Sequence, residues 1–232
     1  MAREFVCCNP ERCRDADCLG PSSRPSGRRH DRGQFSYTGD HFAFHNVTVV
    51  PKPYQKPHPP IRVALASAET FGLVGRMGHA IFVSANTPIP QLQERLAMYR
   101  QARQEAGHPS PADIALRIPA YVAETAEQAR SEPEVSTMHA IRYAATELIT
   151  TAANPEIVAR IRHTANTPYD DILKQRVLYG TPEAVVDRLQ EYQDALDITG
   201  VVLEMNYGGQ LPYERVINSV RLLTEKVAPK FK

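Results

Sequence analysis

From Ile61 to the end of the chain, short apolar runs alternate with longer stretches whose apolar residues recur every three or four positions. Few folds accept that alternation. A strand that is apolar along its whole length needs cover on both faces, and helices that carry the chain between parallel strands supply it. Four such strands can be traced, at Ile61–Ser67, Ala80–Ser84, Ile114–Val122 and Gly200–Met205. Helical stripes accompany them: Phe71, Val74 and Met77; Leu92, Leu96 and Tyr99; Val185, Leu189, Tyr192 and Leu196; and Val216, Val220, Leu223 and Val227. The fold class is therefore α/β. A complete (β/α)8 barrel needs eight such units in about 250 residues. The periodicity alone permits either a four-stranded open sheet or half of a barrel.

Local chemistry punctuates the pattern. Phe35-Ser-Tyr37, a turn at Thr38-Gly39-Asp40, and alternating Phe42, Phe44, Val47 and Val49 predict a β-hairpin. The Pro-rich run Pro51–Pro60 predicts an extended connector, because proline fixes φ and removes ladder donors. Thr125-Ala-Glu-Gln128 has capping-box spacing. Gly180-Thr-Pro-Glu183 reads as a helix cap with proline at the first helical position. Residues 129–178 exceed an ordinary crossover and predict a helical insertion of two or three helices, including Met138–Thr150 and Glu156–Ala165.

Residues 1–33 differ in kind. They carry seven arginines, no lysine, and almost no periodic apolar positions. Such a segment buries too little surface to offset its ordering entropy, so a disordered leader outside the fold is expected. Residues 34–232 form the folded part, with the hairpin and connector at 34–60. All four cysteines, Cys7, Cys8, Cys13 and Cys18, fall in the leader. Their spacing is not a paired C-x-x-C and no apolar framework surrounds them, which argues against a zinc knuckle. The histidines show no metal-ligand spacing on a shared helix face, so no metal site is expected.

Composition limits the partners. A formal net charge of +1 gives no electrostatic reason to expect nucleic acid or an acidic membrane. No apolar run approaches a membrane span and no secretory h-region opens the chain, so a cytoplasmic protein is expected.

One place suits a ligand. The first strand ends in Ser67-Ala68-Glu69-Thr70, where a helix begins. Short hydroxyls beside the free N–H groups of a helix start suit an anion such as a cofactor phosphate, although serine and threonine favour helix caps with or without a ligand. Asn206-Tyr207-Gly208-Gly209 follows the last strand, on the side where barrel active sites form.

In order and spacing, several of these motifs together resemble the bacterial-luciferase-like flavin monooxygenases. They are the hairpin, Pro51-Lys-Pro-Tyr-Gln-Lys-Pro-His-Pro-Pro60, Ala66-Ser67 with Thr70, Gly78, Ile81-Phe-Val-Ser84, Gly180-Thr-Pro-Glu183, and Ser219-x-x-Leu222-Leu223 through Val227-x-Pro229. The resemblance runs from about Phe35 to Phe231 and implies a (β/α)8 TIM-barrel type represented by about its last four βα units, the C-terminal half. It implies a flavin-dependent oxidoreductase using reduced FMN and O2 on a small organic substrate, with F420 as the alternative cofactor. The matching positions assign Ser67, Ala68 and Thr70 to the flavin phosphate and Ser84 to the neighbourhood of the flavin ring. Asn206 and Tyr207 fall on the substrate side; no catalytic residue is assigned. The family's cationic phosphate partners and early-strand polar groups have no counterpart here. An inactive fragment that self-associates, or that pairs with a complementary half-barrel, is the rival expectation.

Overall fold

The computed structural model describes residues 34–39, 43–56, 59–151 and 155–231. The expected leader at 1–33, with its cysteines, lies outside the described residues, as does Phe42 of the hairpin. The chain divides into two compact units. One takes residues up to Phe82 together with Glu94–Asp113; the other takes Val83–Gln93 and Ile114–Lys232.

The first unit opens with the hairpin. Strand β1 (Phe35–Thr38) runs antiparallel to β2 (Ala43–Val47), with Phe35 opposite Val47 and Tyr37 opposite Phe44. The rings of Tyr37 and Phe44 sit 6.4 Å apart, the cross-strand contact that a two-stranded ribbon relies on. After the connector come β3 (Arg62–Leu65), helix α1 (Ala68–Met77) and β4 (Ala80–Ser84), with β3 and β4 adjacent. Helix α1 buries Phe71 and Val74. It lies hard against α2 (Ile89–Glu105) at Gly75, where an added Cβ would stand 2.5 Å from the Tyr99 carbonyl oxygen. Only glycine permits that approach. Leu92, Leu96 and Tyr99, the expected stripe of α2, are all buried. The Tyr99 hydroxyl donates to the His79 carbonyl at 2.8 Å, which satisfies its one polar atom.

The second unit is organised by β5 (Ile114–Val122), buried at eight of its nine positions. Two parallel strands share it. β7 (Gly200–Glu204) pairs with Ala115–Pro119, and β6 (Leu178–Gly180) pairs with Ala120–Val122. β6 is an addition to the four expected strands; three residues carry no readable alternation, and only the pairing with β5 defines them. Between β5 and β6 run α3 (Ala126–Ser131), α4 (Glu134–Thr151), α5 (Pro155–Ala165) and α6 (Tyr169–Gln175). The Thr125 hydroxyl accepts from the Gln128 amide at 3.2 Å, the cap its spacing predicts. Helix α4 starts four residues before the expected Met138, directly after Pro133.

Helix α7 (Pro182–Leu196) starts on Thr181, whose hydroxyl accepts from the Ala184 amide, and buries Val185, Leu189, Tyr192 and Leu196. Helix α8 (Tyr213–Leu222) widens through a π turn at Leu223–Val227 and then tightens into a 3-10 turn at Ala228–Phe231. Its Ser219 is fully buried, and the hydroxyl accepts from the Val122 amide at 2.7 Å. That bond ties α8 to the end of β5.

Candidate functional site

The first unit places Ser67 at the N-cap of α1 in an extended conformation. Capping chemistry predicts that its hydroxyl would accept from an amide of the first turn. It makes no such bond. The Ser67 and Thr70 hydroxyls lie 3.4 Å apart instead, and Thr70 donates to the Ser67 carbonyl at 2.7 Å. The amides of Ala68 and Glu69 have no backbone acceptor among the described residues. Ser67, Ala68 and Thr70 are all half-buried, and Glu69 is exposed. The turn therefore holds a serine hydroxyl that caps no amide and two amides without backbone acceptors, at the positive end of a helix dipole.

Sequence reading missed a cation at this turn. Arg95, on α2, donates to the Ala66 carbonyl at 2.9 Å, one residue before Ser67. Nothing in the linear spacing flags it, since 29 residues separate the pair. A guanidinium beside hydroxyls and free amides is the donor set that a phosphate monoester needs.

The second unit contains a cavity of about 270 Å³. Its walls are Ile141 and Leu148 of α4, Ile161 of α5, Ile172 of α6, and Val177 just after it. Four polar residues reach it: Asn86, Thr164, Arg176 and Tyr207. Asn86 follows the end of β4, Pro119 in the wall lies near the end of β5, and Tyr207 follows β7. The cavity thus opens among the carboxyl ends of strands, the face that carries chemistry in barrel enzymes. Its volume lies just under the roughly 300–1,000 Å³ of drug-sized ligand sites, which suits a small molecule.

Ser84 stands at the rim through its neighbour. Its hydroxyl accepts from the Asn86 amide at 3.3 Å. Tyr207 packs on the buried cluster of Ile141, Ile172 and Val177. Burial, followed by the Glu204 carboxylate, pushes the Tyr207 hydroxyl above its ordinary range against the opposing pull of Arg117 and Arg176. It is a neutral hydrogen-bond donor at physiological pH. Asn206 has a different setting: it is exposed, and its side-chain oxygen accepts from the Leu211 amide at 3.2 Å, closing the loop. The loop is clamped from α4. Ser136 donates to the Tyr207 carbonyl at 2.7 Å and accepts from the Gln210 amide at 3.1 Å. Gly208 lies at φ +91°, and a Cβ there would stand 1.9 Å from the Ser136 carbonyl oxygen.

Among the described residues, no group of His, Cys, Asp and Glu side chains could hold a metal ion, and no helix is long and apolar enough to cross a membrane.

Comparison with known proteins places this architecture. Among solved structures, monooxygenase RslO1 from Streptomyces bottropensis is 23% identical with a TM-score of 0.65, matching 89% of this chain and 58% of its own. The oxygenating constituent of 3,6-diketocamphane monooxygenase from Pseudomonas putida, solved with FMN, is 17% identical with a TM-score of 0.66, over 88% and 60%. The coenzyme F420-dependent tetrahydromethanopterin reductase from Methanopyrus kandleri is 16% identical with a TM-score of 0.64, over 93% and 63%. At these identities the likeness is one of fold, and the chain spans only 58–63% of the length of these three. Sequence comparison with curated proteins gives no match. The profile of the luciferase-like monooxygenases matches residues 28–197. With its parallel β/α units and that match over most of its length, the chain belongs to the luciferase-like monooxygenase family.

Proposed function

We propose that this chain is a flavin-dependent oxidoreductase of the monooxygenase type, using reduced FMN and O2 on a small organic substrate, with F420 as the alternative cofactor. The observation that carries the reading is the β3–α1 turn. Its serine caps nothing, its first two amides lack backbone acceptors, and a guanidinium stands one residue away. Ser67, the Ala68 amide and Thr70 would hold the flavin phosphate, with Arg95 balancing its charge. Thr70 turns its proton from the Ser67 carbonyl to the ligand. Family resemblance assigns Ser84 to the neighbourhood of the flavin ring. A bound flavin supplies the redox chemistry and the reaction with O2.

The remaining work falls to the cavity of the second unit. Its aliphatic walls offer an apolar surface to the substrate, and the Tyr207 hydroxyl, held neutral, can donate to a polar atom of it. Asn206 acts on the substrate side by shaping the loop that presents Tyr207. Cytoplasmic residence is part of the same reading.

Flavin titration tests it. Replacing Ser67 and Thr70 together by alanine removes two hydrogen bonds to a charged group, each worth roughly 1.5–3 kcal/mol. FMN affinity should fall by roughly 100-fold or more. A double variant that binds FMN as the parent does excludes this phosphate site.

A second reading is a non-catalytic chain that self-associates or pairs with a complementary half-barrel. It is favoured by Val201 and Val202 on β7, which are 38% and 45% exposed on a strand. Light scattering after size-exclusion chromatography, with and without FMN, separates the two. A monomer with stoichiometric flavin supports the enzyme, and flavin-free association supports the second reading.

A further inference from the structure

The cavity beside Tyr207 contains a charge that the proposed reaction does not use. Arg176 is half-buried at the carboxyl end of α6, where its amide donates to the Ile172 carbonyl at 2.9 Å. Its side chain lines a cavity whose other walls are largely aliphatic. Among the described residues no carboxylate pairs with it. The charged groups acting on the adjacent Tyr207 hydroxyl are Glu204, Arg117 and Arg176. Glu204 is already taken by Arg117 in an ion pair. Arg176 lines the cavity with no ion-pair partner among the described residues.

A partly buried cation without a counter-ion is an expensive arrangement to keep. It becomes favourable when a ligand delivers the anion. The geometry points to a small amphiphilic substrate: an aliphatic or alicyclic body against Ile141, Leu148 and Ile161, and an anionic oxygen group, carboxylate or sulfonate, on Arg176. We infer that Arg176 sets this specificity, with Tyr207 donating a second hydrogen bond to the same group. Guanidinium is the side chain suited to the task, since its planar fork matches two oxygens of such a group at once. The inference rests on reading the cavity as the substrate side. A basic residue at a helix end also complements the helix dipole. That role alone needs no apolar walls and leaves ligand preference unmoved.

The test is calorimetric titration of the full chain, without flavin, using hexanoate, hexanesulfonate and 1-hexanol. Hexanoate or hexanesulfonate should bind at least tenfold more tightly than hexanol. Arg176→Gln should abolish the difference, Arg176→Lys should retain part of it, and FMN affinity should be the same in parent and variants. Equal binding of hexanol and both anions by the parent overturns the inference without any variant having to fold. A parallel loss of FMN affinity in Arg176→Gln overturns it in another way, by assigning the arginine to the flavin. If the parent prefers the anions but binds no FMN, the proposed function fails while the assignment of Arg176 stands.

Discussion

Gly208→Ala tests the clamp that presents Tyr207. Two effects should add. An L-residue at φ +91° carries a left-handed penalty of roughly 1–2 kcal/mol. The new Cβ would also stand 1.9 Å from the Ser136 carbonyl oxygen and 2.8 Å from its hydroxyl, so the loop must move off α4. Ser136 is only 2% exposed, and its hydroxyl serves both the Tyr207 carbonyl and the Gln210 amide. Losing both bonds costs roughly 1 kcal/mol each. The sum is roughly 3–4 kcal/mol, and at about 2–4 °C per kcal/mol for a chain of this size the midpoint should drop by roughly 6–16 °C. Gly209→Ala is the internal control. It sits at φ +72° with nothing within 4 Å of a new Cβ, so only the left-handed penalty applies. Its midpoint should fall by roughly 2–8 °C. Melting both variants by circular dichroism gives the answer. If they melt together, the clash with Ser136 is relieved at no cost and the clamp is not a constraint.

Other outcomes follow from single contacts. Ser219→Ala strands the buried Val122 amide and should cost roughly 1–3 kcal/mol in chemical denaturation, with its midpoint lowered at unchanged slope. Ser67→Ala alone should leave thermal stability within about 0.5 kcal/mol, because the serine makes no capping bond, while Thr125→Ala should cost about 1 kcal/mol. Glu69→Gln removes a carboxylate beside the proposed phosphate turn and should tighten FMN severalfold in a fluorescence titration. Tyr179 is held above its ordinary range chiefly by burial, and Tyr121 and Tyr169 likewise. The folded chain therefore keeps protons that the unfolded chain releases, so stability is full below about pH 10 and falls as pH rises further. Tyr179→Phe should flatten that alkaline slope in urea melts run at increasing pH.

Much of the fold was legible because it rests on local rules. The stripe of α7 and its Thr181-Pro182 start are read from neighbours within one turn, as is the Thr125 cap. β5 announced itself by nine residues of nearly unbroken apolar character. β6 did not, since three residues become a strand only when Val122 and Gly180, 58 positions apart in the chain, meet side by side. The site divides along the same line. Ser67 and Thr70 are three residues apart, and their proximity is helical geometry. Arg95 and Arg176 gain their interest from what lies near them in space, and no spacing rule reaches that far. Asn206, expected on the substrate side from its place after β7, also has a local role that spacing did not reveal: its side-chain oxygen accepts from the Leu211 amide and closes its loop.

The excursion from α3 to α6 leaves the sheet after Val122 and returns at Leu178, on rungs that lie side by side: Ala120 against Leu178, and Val122 against Gly180. Its two ends are therefore pinned to one another whatever happens between them. Closing a flexible loop costs free energy only with the logarithm of its length, about 0.6 kcal/mol per doubling. Lengthening, trimming or replacing this segment should perturb the strands little. Yet α4, α5 and α6 supply most of the cavity wall, and its arginine, Arg176, directly follows α6. The molecule thus separates what must be conserved for folding from what sets the contents of the cavity. Chimeras that exchange residues 126–176 between related chains should keep the scaffold while exchanging ligand preference.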